Sequence, residues 1–279
     1  GLELSINGMT VRLAQNVGMK KVVDMAKRTG IVRDMAPVLA MALGAGETTP
    51  FNMTAAYTAF PNGGRKVDAH LIELVEDREG KAIFKADKRD CERCDAGFNG
   101  DESPRMPSRG TPVMDPITAF QITSMLEGAV QRGTGTGARI PGRAVAGKTG
   151  TTNEYRSAWF MGFTPQIVVG VFVGFDDNRS LGEGETGASA AVPIFAQFMQ
   201  TATKGLPPTP FKAPKNAVFR PVNGVMEAFR PGSAPREEAV VNPLGPIPYN
   251  QMPIIGLPAA PAPAARPAPE AAPDLSGLF

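Results

Sequence analysis

The sequence predicts an α+β fold, an antiparallel sheet with flanking helices plus a helical subdomain. Two observations carry this. Residues 1–132 are dominated by helical periods punctuated by Gly and Pro, whereas residues 144–175 switch to three successive strand-like runs. A further helical run after these strands lies where it can cross the sheet, which makes a layered architecture.

The elements follow in order. Met9–Val17 reads as a short helix stopped by Gly18, and Lys20–Thr29 as a second stopped by Gly30. Thr49-Pro50 has the pattern of an N-cap followed by proline in the first turn, opening an apolar helix through Phe60. Val67–Val75 and Lys81–Phe84 flank Glu79-Gly80 and predict a hairpin. Asp115-Pro116 opens the clearest helix, running to about Arg132 and stopped by Gly133. Its apolar positions Ile117, Phe120, Ile122, Met125, Leu126 and Val130 suit one broad buried face. Ala144–Thr152, Ser157–Phe163 and Gln166–Phe175 are the three strands. The β-branched run from Ile167 to Val173 predicts that the third is central. Ala188–Thr203 returns to helix, with Pro193 tolerable only near its start.

Residues 1–204 are therefore read as the globular part, with a charged, Gly/Pro-containing surface insertion at about 85–113. Residues 205–256 read as an irregular extension with a small hairpin around Asn223-Gly224. Residues 257–279 are almost entirely Ala and Pro up to Pro273, a composition that builds neither helices nor sheet ladders, so a disordered tail is expected. The chain starts at Gly1 rather than Met, and no signal peptide or apolar run of membrane-spanning length is visible. A fragment of a longer protein is the expectation.

Composition narrows the chemistry. A net charge of +2 over 279 residues gives no reason to propose nucleic acid or acidic lipid as a main partner. His70 is the single histidine, so a His-rich metal site is excluded and a Ser-His-Asp triad would depend on that residue. A hydrolase or acyltransferase of this composition would instead use a lysine, a carboxylate or water. Cys91 and Cys94 form one C-x-x-C without the second ligand pair of a zinc site. Their charged flanks read as an exposed loop, which favours a loop disulfide or two idle thiols over redox catalysis.

Gly142-Arg-Ala-Val-Ala-Gly-Lys148-Thr149 matches the phosphate-loop pattern G-x-x-x-x-G-K-[ST] letter for letter. Such a loop needs a strand before it and a helix after it. Here Gly133-Thr-Gly-Thr-Gly precedes, and Gly150-Thr-Thr-Asn leads into strand-like residues, so the context fails. Nucleotide binding stays as a distant alternative. The other reading places Lys148-Thr149-Gly150-Thr151 at the end of a strand lining a site. The lysine supplies fixed positive charge, the threonines supply hydroxyl donors, and Gly150 lets a substrate backbone approach. That set suits a peptide ending in a carboxylate and added along the strand. A Gly/Thr-rich turn with a solvated lysine would have the same letters.

Ser5-Ile6-Asn7, taken alone, reads as a helix N-cap pair. Paired with the downstream Lys148-Thr149-Gly150, it resembles the S-x-N and K-T-G motifs of penicillin-binding proteins and related β-lactamases. The resemblance extends through Asn7–Ala14, Leu43–Pro50, Ala55–Tyr57, Phe60–Gly64 and Gly147–Phe163, covers most of residues 1–204, and is to class A penicillin-binding proteins. No E-x-x-L-N loop follows the S-x-N, which argues against a class A β-lactamase.

The resemblance implies a β-lactamase/transpeptidase-like fold and cross-linking of peptidoglycan stem peptides by acyl transfer through the serine of an S-x-x-K motif. It implies Ser5 as proton carrier toward the leaving amine, and Asn7 as a hydrogen-bonding partner of the substrate amide and of the S-x-x-K lysine. It implies Lys148 as positive charge beside Ser5, Thr149 and Thr151 as carboxylate-binding hydroxyls, and the Thr151 N–H as half of an oxyanion hole. The implied ligands are stem peptides and β-lactams, with no cofactor or metal and with other cell-wall synthesis proteins as candidate partners. An N-terminal glycosyltransferase domain and membrane anchor, at the periplasmic face of the inner membrane, belong to the same implication. That compartment permits a Cys91–Cys94 disulfide.

One departure is severe. No serine of the chain has lysine three residues on; Ser5 is followed there by Gly8, Ser124 by Glu127 and Ser157 by Phe160. Truncation at the N-terminus is the expected cause, and the chain by itself is expected to be inactive. D,D-carboxypeptidase activity and a non-catalytic penicillin-binding sensor remain as competing functions.

Overall fold

The protein is described from a computed structural model. The described residues are 1–235 without 90, 92–93, 95–96, 98–105, 108 and 223. The reading of 257–279 as a disordered tail, and residues 236–256 of the extension before it, lie outside them.

The chain opens with two short helices, α1 (Asn7–Val17) and α2 (Met19–Thr29). Gly18 is the only residue between them and has φ +90°, a conformation costly for any side chain but open to glycine. A 3-10 turn at Leu39–Leu43 packs on α1. Next comes α3 (Pro50–Tyr57), whose N-cap Thr49 accepts a hydrogen bond from the Asn52 N–H, as the sequence pattern requires. It ends three residues before the expected Phe60, in a run of turns.

Two small pairings follow. β1 (Arg65–Lys66) will pair with a later strand, while β2 (Leu74–Glu76) and β3 (Ala82–Lys85) form the expected hairpin, shorter at its start than predicted. After the insertion, β4 (Thr111–Pro112) returns to pair with β1 and closes the insertion at its base. Cys91 and Cys94 are joined by a disulfide, so neither is an idle thiol.

Helix α4 (Pro116–Arg132) has the predicted bounds. Asp115 caps it, accepting from the N–H groups of Ile117 and Thr118. Its buried set differs from the predicted face, because Phe120, Ile122 and Met125 are only half-buried. Small residues, Ala119, Thr123, Gly128 and Ala129, are buried alongside Ile117, Leu126 and Val130. Close packing against a sheet strand favours small side chains on the contact face, which an apolar count overlooks.

The main sheet has three antiparallel strands, β5 (Ala146–Thr151), β6 (Ser157–Phe163) and β7 (Val168–Gly174), in the order β5-β6-β7. The central strand is therefore β6, not β7 as the β-branched run suggested. On β7 only Val171 is buried, whereas Ala158, Phe160, Met161, Gly162 and Phe163 of β6 all are. β-branching reports fit to a pleated surface, not position within the sheet.

The final helix is not continuous. A π turn at Gly187–Ala191 precedes α5 (Val192–Ala202). Pro193 has no N–H to give to the preceding turn and its ring crowds the carbonyl four residues back, so the wide turn falls where the proline requires it. Strands β8 (Val218–Val222) and β9 (Val225–Phe229) form the expected hairpin. It docks on α4 through Gln121, which donates to the Ala228 carbonyl at 2.7 Å, and through the edge-on contact of Phe120 with Phe219.

The sheet is covered on both faces. Phe160 and Val171 pack on one side against Val192, Phe195 and Met199 of α5. Ala146 and Phe163 pack on the other against Leu126 of α4, with Tyr57 and Phe60 beside them. Phe160, Phe163 and Phe195 are fully buried, each contributing about 1.5–3 kcal/mol of apolar transfer. The α+β layering predicted from the pattern of elements is present.

Candidate active site

Strand β5 has β6 on one side and, among the described residues, no strand on the other. Its register with β6 places Lys148 opposite Met161 and Thr149 opposite Phe160. Side chains on a strand alternate, so Lys148 and Thr149 leave opposite faces along the same edge. Helix α4 packs beside β5 and supports it.

The Lys148 Nζ reaches the N-terminal turn, where it donates to the Ser5 Oγ at 2.8 Å and also to the Thr149 carbonyl at 2.8 Å. Two residues 143 positions apart are thus paired. Among the described residues no carboxylate forms an ion pair with Lys148. Burial pushes its pKa below that of an ordinary lysine.

Ser5 sits in a turn closed by its own N–H to the Leu2 carbonyl and by the Ile6 N–H to the Gly1 carbonyl. Its φ is +54°, left-handed backbone that costs a non-glycine residue about 1–2 kcal/mol. Ile6, not Ser5 or Asn7, is the N-cap of α1, and it makes no side-chain cap bond. The capping reading of Ser5 and Asn7 is therefore corrected: the Ser5 hydroxyl is directed across the chain at Lys148. Asn7 is the first residue of α1, exposed, with no side-chain hydrogen bond among the described residues.

A third segment locks the first two together. The Thr134 N–H donates to the Glu3 carbonyl at 3.2 Å, and the Glu3 carboxylate pairs with Arg132 at the end of α4. Gly133 lies so close that a Cβ there would sit 2.2 Å from the Glu3 carbonyl oxygen. On the other side, the Thr134 Oγ1 lies 2.7 Å from the Thr149 Oγ1. Thr134 and Glu3 were not singled out in the sequence, and Gly133 only as the stop of α4; the signal was the Gly133-Thr-Gly-Thr-Gly run between a helix and a strand.

The end of β5 is held by the π turn. The Gly187 N–H donates to the Thr151 Oγ1 at 2.9 Å. Gly187 is pressed against the strand, since a Cβ would lie 2.6 Å from the Gly150 carbonyl oxygen and 2.5 Å from that of Trp159. Across from Gly150, Trp159 stacks obliquely on Phe172 at 4.8 Å between ring centroids.

The structure thus brings together Ser5, Lys148, Thr149 and the strand through Gly150 to Thr151. Their arrangement offers a hydroxyl held by an ammonium group, a pair of threonine hydroxyls and an edge strand. Such a set can orient an extended peptide and pass a proton. Phosphate-loop geometry is absent, because Lys148 lies within a strand and the residues after Thr151 turn into β6 through a short kinked 3-10 turn, Asn153–Tyr155, with no α-helix there. His70 lies elsewhere, against Asp68, Glu73 and Arg109, so no Ser-His pair forms. No group of residues suited to a metal ion occurs among the described residues.

Comparison with known proteins gives the family. Residues 1–200 match the model of the penicillin-binding protein transpeptidase domain. Penicillin-binding protein 1A of Rickettsia bellii is 44% identical over 243 residues, covering 82% of this chain and 31% of that protein. Its counterpart from Neisseria flavescens is 36% identical over 219 residues, covering 78% and 26%. The chain thus spans about a third or less of the length of these curated relatives. A crystal structure of penicillin-binding protein 1A from Haemophilus influenzae superposes with a TM-score of 0.71 at 31% identity, over 85% of this chain and 40% of that one. The penicillin-binding protein PonA1 from Mycobacterium tuberculosis shares the fold, with a TM-score of 0.65 at 22% identity. This chain belongs to the penicillin-binding protein transpeptidase domain family.

Proposed function

We propose that the whole protein is a D,D-transpeptidase that cross-links peptidoglycan, and that this chain supplies the substrate-binding wall of its site. The Lys148–Ser5 hydrogen bond carries this reading, since it joins the two motif segments into one constellation. The sequence contains no S-x-x-K, so the acylated serine and its lysine belong to a segment of the parent protein outside these 279 residues.

In the acylation step, the serine oxygen attacks the penultimate D-Ala carbonyl of a stem peptide and the terminal D-Ala leaves as an amine. Ser5 gives its proton to that amine and takes back the one released by the nucleophile. Lys148 holds the Ser5 oxygen and stabilises negative charge beside it, and Asn7 binds the substrate amide and the nucleophile's lysine. Thr149 and Thr151 bind the terminal carboxylate, while the Thr151 N–H shares the oxyanion with the nucleophile's own N–H. The amine of a second strand then takes the acyl group. β-Lactams acylate the same serine. By family resemblance, the parent also carries a glycosyltransferase domain and an anchor that places it at the periplasmic face of the inner membrane, among other cell-wall synthesis proteins. Among the described residues no helix is long and apolar enough to cross a membrane.

The test is labelling of the full-length protein by a fluorescent penicillin, followed by turnover of a D-Ala-D-Ala peptide with and without an acceptor amine. Acylation with cross-linked product supports transpeptidation. Release of D-Ala without cross-link makes the protein a carboxypeptidase, acylation without turnover makes it a sensor, and an unlabelled protein sinks the proposal. The 279-residue chain alone should remain unlabelled.

A further inference from the structure

Thr134 belongs to neither motif, yet it is bonded to both segments that carry them. Its N–H holds the Glu3 carbonyl two residues before Ser5, and its hydroxyl meets the Thr149 hydroxyl beside Lys148. It also follows the C-cap Gly133, so its place is fixed by the end of α4.

We propose that Thr134 is a positioning residue that sets the direction of the Thr149 hydroxyl, and thereby the recognition of a carboxylate-bearing substrate. A hydroxyl has one proton to give and two lone pairs to accept with. A carboxylate can only accept. Thr149 therefore serves a carboxylate only when its own proton points at the ligand, and its 2.7 Å contact with Thr134 must then be one in which Thr134 donates. Without Thr134, the Thr149 hydroxyl is free to rotate and its proton is shared among other acceptors. Thr151 is served in the same way by a different group, because the Gly187 N–H can only donate and leaves the Thr151 proton outward. Both threonines of the strand are thus polarised from behind, one by a side chain and one by backbone. This inference rests on the transpeptidase reading above.

The experiment uses the full-length protein and two probes, benzylpenicillin with its free carboxylate and its methyl ester. Thr134→Val removes the hydroxyl at nearly constant shape, and Thr134→Ser keeps it. The second-order acylation rate with benzylpenicillin should fall about 10-fold or more in Thr134→Val, the scale of one hydrogen bond to a charged group. The rate with the ester should stay within about 2-fold of wild type, the level expected when only carboxylate recognition is lost. Thr134→Ser should restore the benzylpenicillin rate. Adding Thr149→Val to Thr134→Val should cost little beyond Thr149→Val alone, because the two hydroxyls act as a unit. Equal loss with both probes overturns the proposal by making Thr134 merely structural, and so does a Thr134→Val protein that reacts like wild type. If Thr134→Val fails to fold, Thr134→Ala against Thr134→Ser makes the same comparison. A wild-type protein that neither probe acylates overturns the transpeptidase reading and this inference with it.

Discussion

The Ser5 hydroxyl accepts a 2.8 Å hydrogen bond from the Lys148 ammonium, and Ser5 takes a left-handed backbone conformation in doing so. The backbone strain and the hydroxyl's role can be separated by substitution. Ser5→Gly relieves the strain and should leave Tm unchanged or higher. Ser5→Ala keeps the strain and should lower Tm slightly. Both should lower the acylation rate of the full-length protein about 100-fold or more, the usual scale for losing a proton-transfer group. Retained acylation in Ser5→Gly would remove Ser5 from the chemistry.

Lys148 gives a pH prediction with a definite sign. Burial penalises its charged form, so its pKa lies below that of a free lysine. The protonated ammonium therefore disappears at a lower pH than it would in water. The acylation rate should accordingly fall on its alkaline side before pH reaches the ordinary lysine range. Lys148→Arg keeps the charge to higher pH and should move that limb upward, at a lower plateau because a planar fork replaces a point donor. A pH–rate profile with the same alkaline limb in both proteins would assign it to another group.

Gly133 separates site geometry from stability. A Cβ at this position meets the Glu3 carbonyl oxygen at 2.2 Å, so Gly133→Ala must displace the turn that carries Ser5. The expected cost is about 1–3 kcal/mol, as for overpacking elsewhere, together with loss of most acylation. Asp115→Ala, at the far end of the same helix, removes its N-cap and should cost about 1 kcal/mol while leaving acylation intact. Denaturant unfolding alongside penicillin labelling checks both, and similar activity losses in the two variants would show that the effect follows stability alone.

Gly187→Ala pushes the π turn off β5, because the new Cβ meets two strand carbonyls. It should release the hydrogen bond from the Gly187 N–H to Thr151 and destabilise the protein by about 1–3 kcal/mol. Hydrogen exchange should show faster opening of the Gly187 amide in particular. Unaltered protection there would contradict the contact.

Local signals were readable wherever the chain is governed by near neighbours. Asp115-Pro116 and Gly133 bound α4 because capping is a matter of a few residues, and Gly30 stops α2 for the same reason. The β5–β6–β7 strands were legible from composition, but their order was not. Val168–Val173 resembles a central strand until Phe160 and Phe163 of β6 are seen to be buried on opposite faces. The π turn escaped because its wider hydrogen-bond spacing leaves no periodic trace in five residues. In the site, Ser5 and Lys148 were found through spaced motifs. Thr134 and Glu3 were not, since their role comes from a contact between segments that no sequence period encodes.

The pairing of Ser5 with Lys148 also has a consequence in time. Synthesis adds about 5–20 residues per second, so the 143 positions between them separate their appearance by roughly 7–30 s. Throughout that interval Ser5 has been made and its lysine has not. Helices α1 and α2 can form from local contacts as they emerge, but the site cannot. A chain arrested or cleaved before β5 therefore contains α1 and α2 but no Ser5–Lys148 pair, and that contact can form only once most of the globular part has been made.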